Sequence, residues 1–116
     1  MDYKFHHLGI PTDRVMPDER YNEEFRMYTS DNPGFFRVQF LRFEPDSPAP
    51  PLIRSLPHVA LQVDDLMRAI EGEDLLLGPY EPISGYKIAF INDHGVPVEL
   101  IETNLTAEEL RARVER

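Results

Sequence analysis

The sequence contains no cysteine. That excludes a disulfide framework, an iron–sulfur cluster, a thiolate zinc site and a cysteine nucleophile. Positive charge is also scarce: 12 Lys and Arg stand against 21 Asp and Glu, a net charge of −9. Such a surface repels phosphate backbones and anionic lipid, so neither nucleic acid nor a membrane is expected as a partner. No aliphatic run exceeds that of Leu75-Leu76-Leu77, far short of the roughly 20 residues that a spanning helix needs. The opening segment, MDYKFHHLGIPTD, has no apolar stretch of the signal-peptide kind, and a soluble, cytoplasmic protein is expected. Gly-x-Gly-x-x-Gly, the Walker loop, Gly-x-Ser-x-Gly and the EF-hand loop are all missing. Ser30, Ser47, Ser55 and Ser84 have no triad context, which argues against serine hydrolase chemistry. What remains is 116 residues, 41% of them apolar, enough for one domain (1–116) with a real core.

Two segments resemble each other. His7-Leu8-Gly9-Ile10-Pro11-Thr12-Asp13 and His58-Val59-Ala60-Leu61-Gln62-Val63-Asp64 both read His, aliphatic, small, aliphatic, two variable positions, Asp, at an offset of 58 − 7 = 51. Val38-Gln39-Phe40-Leu41 and Val98-Glu99-Leu100-Ile101 match in the same order, at an offset of 98 − 38 = 60. Two ordered matches predict an internal duplication, with extra residues between the matching strands of the second half. The modules run approximately over 1–46 and 56–104. Between them lies a proline-rich stretch, 45–51. Proline fixes φ and removes donors, so a semi-extended linker is expected there.

The local pattern is mostly strand. Residues 5–12 alternate between turn signals and predict a strand. Residues 25–29 and 35–43 flank Asp31-Asn32-Pro33-Gly34 and predict a hairpin. Residues 58–63 predict the matching strand of the second half. Asp64 or Asp65 then caps a helix carrying Leu66, Ala69 and Ile70 and ended by Gly72. Residues 87–91 and 97–102 predict a second hairpin around Asn92-Asp93-His94-Gly95, with Pro97 at a strand start or edge. In the first half, 14–24 is charged and contains Pro17; any helix there is short, over about 18–24, or the stretch is a loop. A terminal helix is well signed: Thr106 and Glu109 form a capping box, Leu105 and Leu110 a staple, and Glu109 and Arg113 an i,i+4 pair.

Residues of one parity share a face of a strand. On that rule His7 shares a face with Gly9, and His58 with Ala60, so each histidine has a small residue beside it. Glu99 faces away from Val98 and Leu100, and Gln39 away from Val38 and Phe40. The repeat places His7, Gln39, His58 and Glu99 on corresponding faces. Taken singly, each reads as an ordinary hydrogen-bonded or exposed strand residue. Taken jointly, two imidazoles, a carboxylate and an amide oxygen suit a divalent metal. His6 falls on the opposite parity and His94 in a turn, so both read as surface histidines. Glu44 and Glu102 read as solvated.

The segments His7-Leu8-Gly9-Ile10-Pro11-Thr12-Asp13, Pro57-His58-Val59-Ala60-Leu61-Gln62-Val63-Asp64-Asp65-Leu66 and Ala89-Phe90-Ile91 … Gly95-Val96-Pro97-Val98-Glu99-Leu100-Ile101-Glu102 together resemble the vicinal oxygen chelate superfamily. This is the fold of glyoxalase I, methylmalonyl-CoA epimerase, extradiol dioxygenases and bleomycin-resistance proteins. The resemblance covers most of residues 5–103 and is stronger in the second half. It implies an α+β fold in which two βαβββ modules form an incomplete barrel around a central cleft, here with a shortened first-module helix and an added C-terminal helix. It also implies a metal held by His7, Gln39, His58 and Glu99, with zinc, nickel, cobalt, manganese or iron as the ion. The implied activity is that of an isomerase, epimerase or glyoxalase-like lyase, in which the ion stabilises an enediolate formed next to the carbonyl of a small substrate. Glu99 would act as base by leaving the metal transiently. Two alternatives stay open. His7, His58 and Glu99 also satisfy the ligand set of a non-haem iron dioxygenase. A metal-free drug-binding module is the other, with Tyr28, Phe43, Tyr80, Tyr86 and Phe90 lining a groove for a cationic ligand. A homodimer is expected from the family and from open sheet edges.

Overall fold

The computed structural model describes residues 1–31, 36–106 and 108–110. Their elements are β1 (Lys4–Pro11), β2 (Arg20–Asn22), β3 (Met27–Asp31), β4 (Val38–Phe43), α1 (Pro51–Ser55), β5 (His58–Gln62), α2 (Leu66–Ala69), β6 (Leu75–Ile83), β7 (Tyr86–Asp93) and β8 (Val96–Thr103). All eight strands join one sheet in the order β2-β3-β4-β1-β5-β8-β7-β6, which curls into the incomplete barrel of an α+β fold. β1 and β5 pair antiparallel at its middle. Outward from them the two halves repeat: β1, β4, β3, β2 on one side and β5, β8, β7, β6 on the other. The repeat extends to register. β1 is parallel to β4 with Gly9 opposite Gln39, and β5 is parallel to β8 with Ala60 opposite Glu99.

Strand parity sorts the core into two layers. Val63, Leu66, Ala89, Ile91 and Leu100 form the outer layer of the second half, closed by Ala69 and Ile70 of the α2 turn. Asp65 caps that turn by accepting from the Arg68 amide (3.2 Å), and the Glu102 carboxylate accepts from the Leu66 amide (2.8 Å). Glu102 therefore has a capping task and is not simply solvated. Leu66 is 1% exposed. Leu66→Ala is expected to lower stability by about 2–5 kcal/mol through the cavity it leaves, measured by urea unfolding with an unchanged m-value.

The inner layer contains Ile53, Ala60, Tyr86, Ile88, Phe90 and Ile101, with Phe43, Leu77, Tyr80 and Leu105 packed against them. Ile53 arrives on α1, a single turn opened by Pro51 at its first position. Proline suits that position because its missing N–H has no helical partner there. So the proline-rich stretch is no free spacer: it ends in a helix that seats Ile53, and Ser47 in its middle donates to the Phe25 carbonyl (2.5 Å).

The first half has no helix between β1 and β2 among the described residues. Asp18 takes a positive φ of 57°, which a helix excludes. Residues 20–22 instead pair as an edge strand, with the Tyr21 and Tyr28 rings 4.8 Å apart. Arg42 grips Glu19 with two nitrogens (2.9 and 2.8 Å) and lies 4.1 Å over the Tyr28 ring. A loop fastened by these contacts stands where the second half has α2. At the far end the capping box forms reciprocally: the Thr106 amide donates to Glu109 Oε1 and the Glu109 amide to Thr106 Oγ1, both at 3.1 Å. Arg113 lies outside the described residues, as do Asn32, Pro33 and Gly34 of the first hairpin turn.

Candidate metal centre

His7 stands on β1, His58 on β5 and Glu99 on β8, three strands that are neighbours at the middle of the sheet. Register puts them on one face: His7 is opposite Ala60, and Ala60 opposite Glu99, while His58 is opposite Gly9. Glu99 Oε1 lies 3.2 Å from His58 Nε2 and 3.3 Å from His7 Nε2. One ligand atom from each of the three residues lies within 4.8 Å of the other two. His58 is 2% and Glu99 5% exposed, and His7 is half-buried. The Phe90 and His58 rings meet at 80°, with centroids 5.0 Å apart.

Burial alone works against charge on Glu99. The imidazoles of His58 and His7 beside it outweigh that and hold its carboxyl down to about 2. Burial, and then the Glu99 charge, push the phenols of Tyr80 and Tyr86 above their usual range, so both stay neutral hydroxyls.

The donor set fits a divalent ion. His7 Nε2 is buried and has no hydrogen-bond partner, a costly state unless something else meets its lone pair. Bonds of about 2.0–2.2 Å around one ion hold neighbouring donors roughly 3–3.5 Å apart. The observed 3.2 and 3.3 Å separations match that spacing.

Gln39 takes the position in the first half that Glu99 takes in the second. It is half-buried, and its amide donates to Asp31 Oδ1 at 2.9 Å; Asp31 in turn pairs with Arg20 at 3.5 Å. Of the four residues singled out by the repeat, the structure gathers His7, His58 and Glu99 and places Gln39 on the neighbouring strand with its amide engaged. His94 is on the surface as expected, bonded to Asp93. Phe43, Tyr80, Tyr86 and Phe90 belong to the inner layer. Tyr28, opposite Arg42, does not.

His6 departs from the parity rule. The β1–β5 register slips between Phe5 and His7, so His6 is the extra residue of a β-bulge. It is buried at 8% exposure, with its Nδ1 2.8 Å from His7 Nδ1 and its ring 6.0 Å from Tyr86. Burial, with His7 and Arg37 nearby, pushes its imidazole down to about 4. Alternation has no symbol for an inserted residue, and nothing local in the sequence marks the bulge. An open groove lined by Asp2, Lys4, Gln62, Lys87, Glu102 and Thr103 contains none of the three clustered residues. Its mixed charges suit water more than an organic ligand.

A curled α+β sheet with a buried group of two imidazoles and one carboxylate at its centre is the class that fold and site define. No family model matches the sequence, and no curated protein matches it. Solved structures do match. A hypothetical protein, BH1468, from Bacillus halodurans superposes with a TM-score of 0.70 at 17% identity, over 92% of this chain and 99% of that one. Methylmalonyl-CoA epimerase from Mycobacterium tuberculosis superposes with a TM-score of 0.63 at 19% identity, over 94% of this chain and 91% of that one. The likeness at these identities is one of fold. No helix among the described residues is long and apolar enough to cross a membrane.

Proposed function

We propose that the chain is a vicinal oxygen chelate protein and a divalent-metal-dependent isomerase, epimerase or lyase of a small carbonyl compound. The observation that carries this reading is the convergence of His7 Nε2, His58 Nε2 and Glu99 Oε1, buried together on the inner face of an epimerase-like fold. These three would hold the ion, and the Gln39 amide oxygen would be a fourth ligand. When bound, the ion supplies a Lewis acid that favours negative charge on the substrate's carbonyl oxygens as an enediolate forms. Glu99 would also be the base that takes the proton from the carbon beside the carbonyl. The wall of Phe90, Tyr86, Tyr80 and Phe43 excludes water and receives the apolar part of the substrate. A homodimer is part of the proposal, since β2 and β6 end the sheet as open edges.

Two measurements test it: elemental analysis of the purified protein, and deuterium uptake from heavy water into the α-carbon of small acyl thioesters and α-hydroxyketones, followed by NMR. One divalent ion per chain and metal-dependent exchange are expected. A metal-free protein whose His7→Ala variant behaves as wild type would remove the reading. The gathered set of two histidines and one carboxylate favours a second reading, a non-haem iron dioxygenase. Bound iron with dioxygen uptake on catechols, and no α-carbon exchange, identifies that case.

A further inference from the structure

His6 is buried beside the candidate ligands and has no task in the chemistry above. We propose that His6 is a positioning residue for His7: the His7 Nδ1–H donates to His6 Nδ1, which fixes the His7 tautomer whose Nε2 lone pair faces Glu99. This inference rests on the metal-site reading and adds to it a group that orients a ligand.

The two Nδ1 atoms are 2.8 Å apart, so one must donate and the other accept. If His6 donated, a neutral His7 would carry its proton on Nε2. That atom is buried without a hydrogen-bond partner and lies 3.3 Å from Glu99 Oε1, at the point where a ligand lone pair is needed. A proton there would face the Glu99 carboxylate and occupy the place that an ion needs. If His7 donates, its proton is matched by His6 and its Nε2 is bare. Only the second arrangement leaves the Nε2 lone pair free for an ion.

The backbone is shaped for this contact. In a regular strand two adjacent residues face opposite ways. The bulge between Phe5 and His7 breaks the alternation at this pair and brings the two rings edge to face, centroids 5.0 Å apart at 72°. Phe5 remains 52% exposed while His6 is 8% exposed. His58 has no equivalent support, since its Nδ1 is buried without a partner. The orientation of His7 is therefore the one that depends on a second imidazole. Outer partners of this kind typically alter metal affinity by about 10–100-fold.

The test combines two readouts. Long-range proton–nitrogen NMR spectra of the metal-free protein report which His7 nitrogen carries the proton. Competition with a chromophoric chelator reports zinc affinity. Wild type is expected to show His7 protonated on Nδ1. His6→Phe keeps a ring but removes the acceptor; it should shift the His7 proton toward Nε2 and weaken zinc binding by about 10–100-fold. His6→Asn, whose amide oxygen can accept the same proton, should restore most of both. A wild-type His7 protonated on Nε2 overturns the proposal without any variant. So does a folded His6→Phe protein with the wild-type tautomer and wild-type affinity. Wild type that takes up no divalent metal instead overturns the proposed function, while the metal-free spectra still decide the hydrogen bond.

Discussion

If the proposed metal site is right, replacing Gly9 with alanine will remove most of the zinc affinity, although residue 9 is not among the proposed ligands. A Cβ at this position would overlap the His58 imidazole at Cε1 and Nε2 and stand 2.7 Å from its Nδ1. Gly9 and His58 are opposite each other in the β1–β5 register, and the imidazole lies over the glycine. The ring has little room to retreat: it is 2% exposed, with Phe90 against it at 5.0 Å and His7 at 5.8 Å. It must swing, and Nε2 then leaves its place 3.2 Å from Glu99 Oε1. The expected result is a loss of zinc affinity of about a hundredfold, with overpacking lowering stability by about 1–3 kcal/mol. Zinc titration and urea unfolding of the two proteins measure both. Wild-type affinity in Gly9→Ala would show that His58 does not need its present position.

Glu99→Gln should have a larger effect on binding and a smaller one on folding. The two side chains have nearly the same shape, and a glutamine oxygen can still accept from His58 Nε2, so no buried charge is left unpaired. What disappears is the negative charge. Glu99 is ionised in the folded protein because His58 and His7 stand beside it, and that charge is the only one the three-residue group contributes toward a cation. Without it a divalent ion would bring its full charge into a buried site. Zinc binding should fall more than about a hundredfold, and α-carbon exchange should vanish with it. Zinc at about 100 times its Kd should stabilise wild type by about 2.7 kcal/mol and leave the variant's Tm unchanged. A zinc-dependent rise in the Tm of Glu99→Gln equal to that of wild type would contradict the assignment.

The gathered trio was legible because it rests on two regularities. Strand parity put Glu99 opposite in facing to Val98 and Leu100, and the structure sends those two to the outer layer and Ile101 to the inner one. The repeated His-x-small pattern located His7 and His58, and the equivalent registers of Gly9 with Gln39 and Ala60 with Glu99 show why. Three elements escaped the same rules. β6 pairs with β7 through repeated register shifts, so Leu75-Leu76-Leu77-Gly78-Pro79 has no alternation to detect. α1 is one turn held by the burial of Ile53, and its prolines read as linker. β2 is three residues long and owes its place to Tyr28 and Arg42, which lie on other strands.

By itself the sequence determined the duplicated strand framework, the α2 and terminal caps and the facing of His7, His58 and Glu99. These depend on alternation and on hydrogen bonds between residues close in the chain. Only the tertiary structure decided which imidazole nitrogens meet Glu99, that Gln39 bonds Asp31, and that His6 joins the inner face. Those outcomes depend on how strands distant in sequence align, and one inserted residue in β1 is enough to turn a side chain from one face of the sheet to the other.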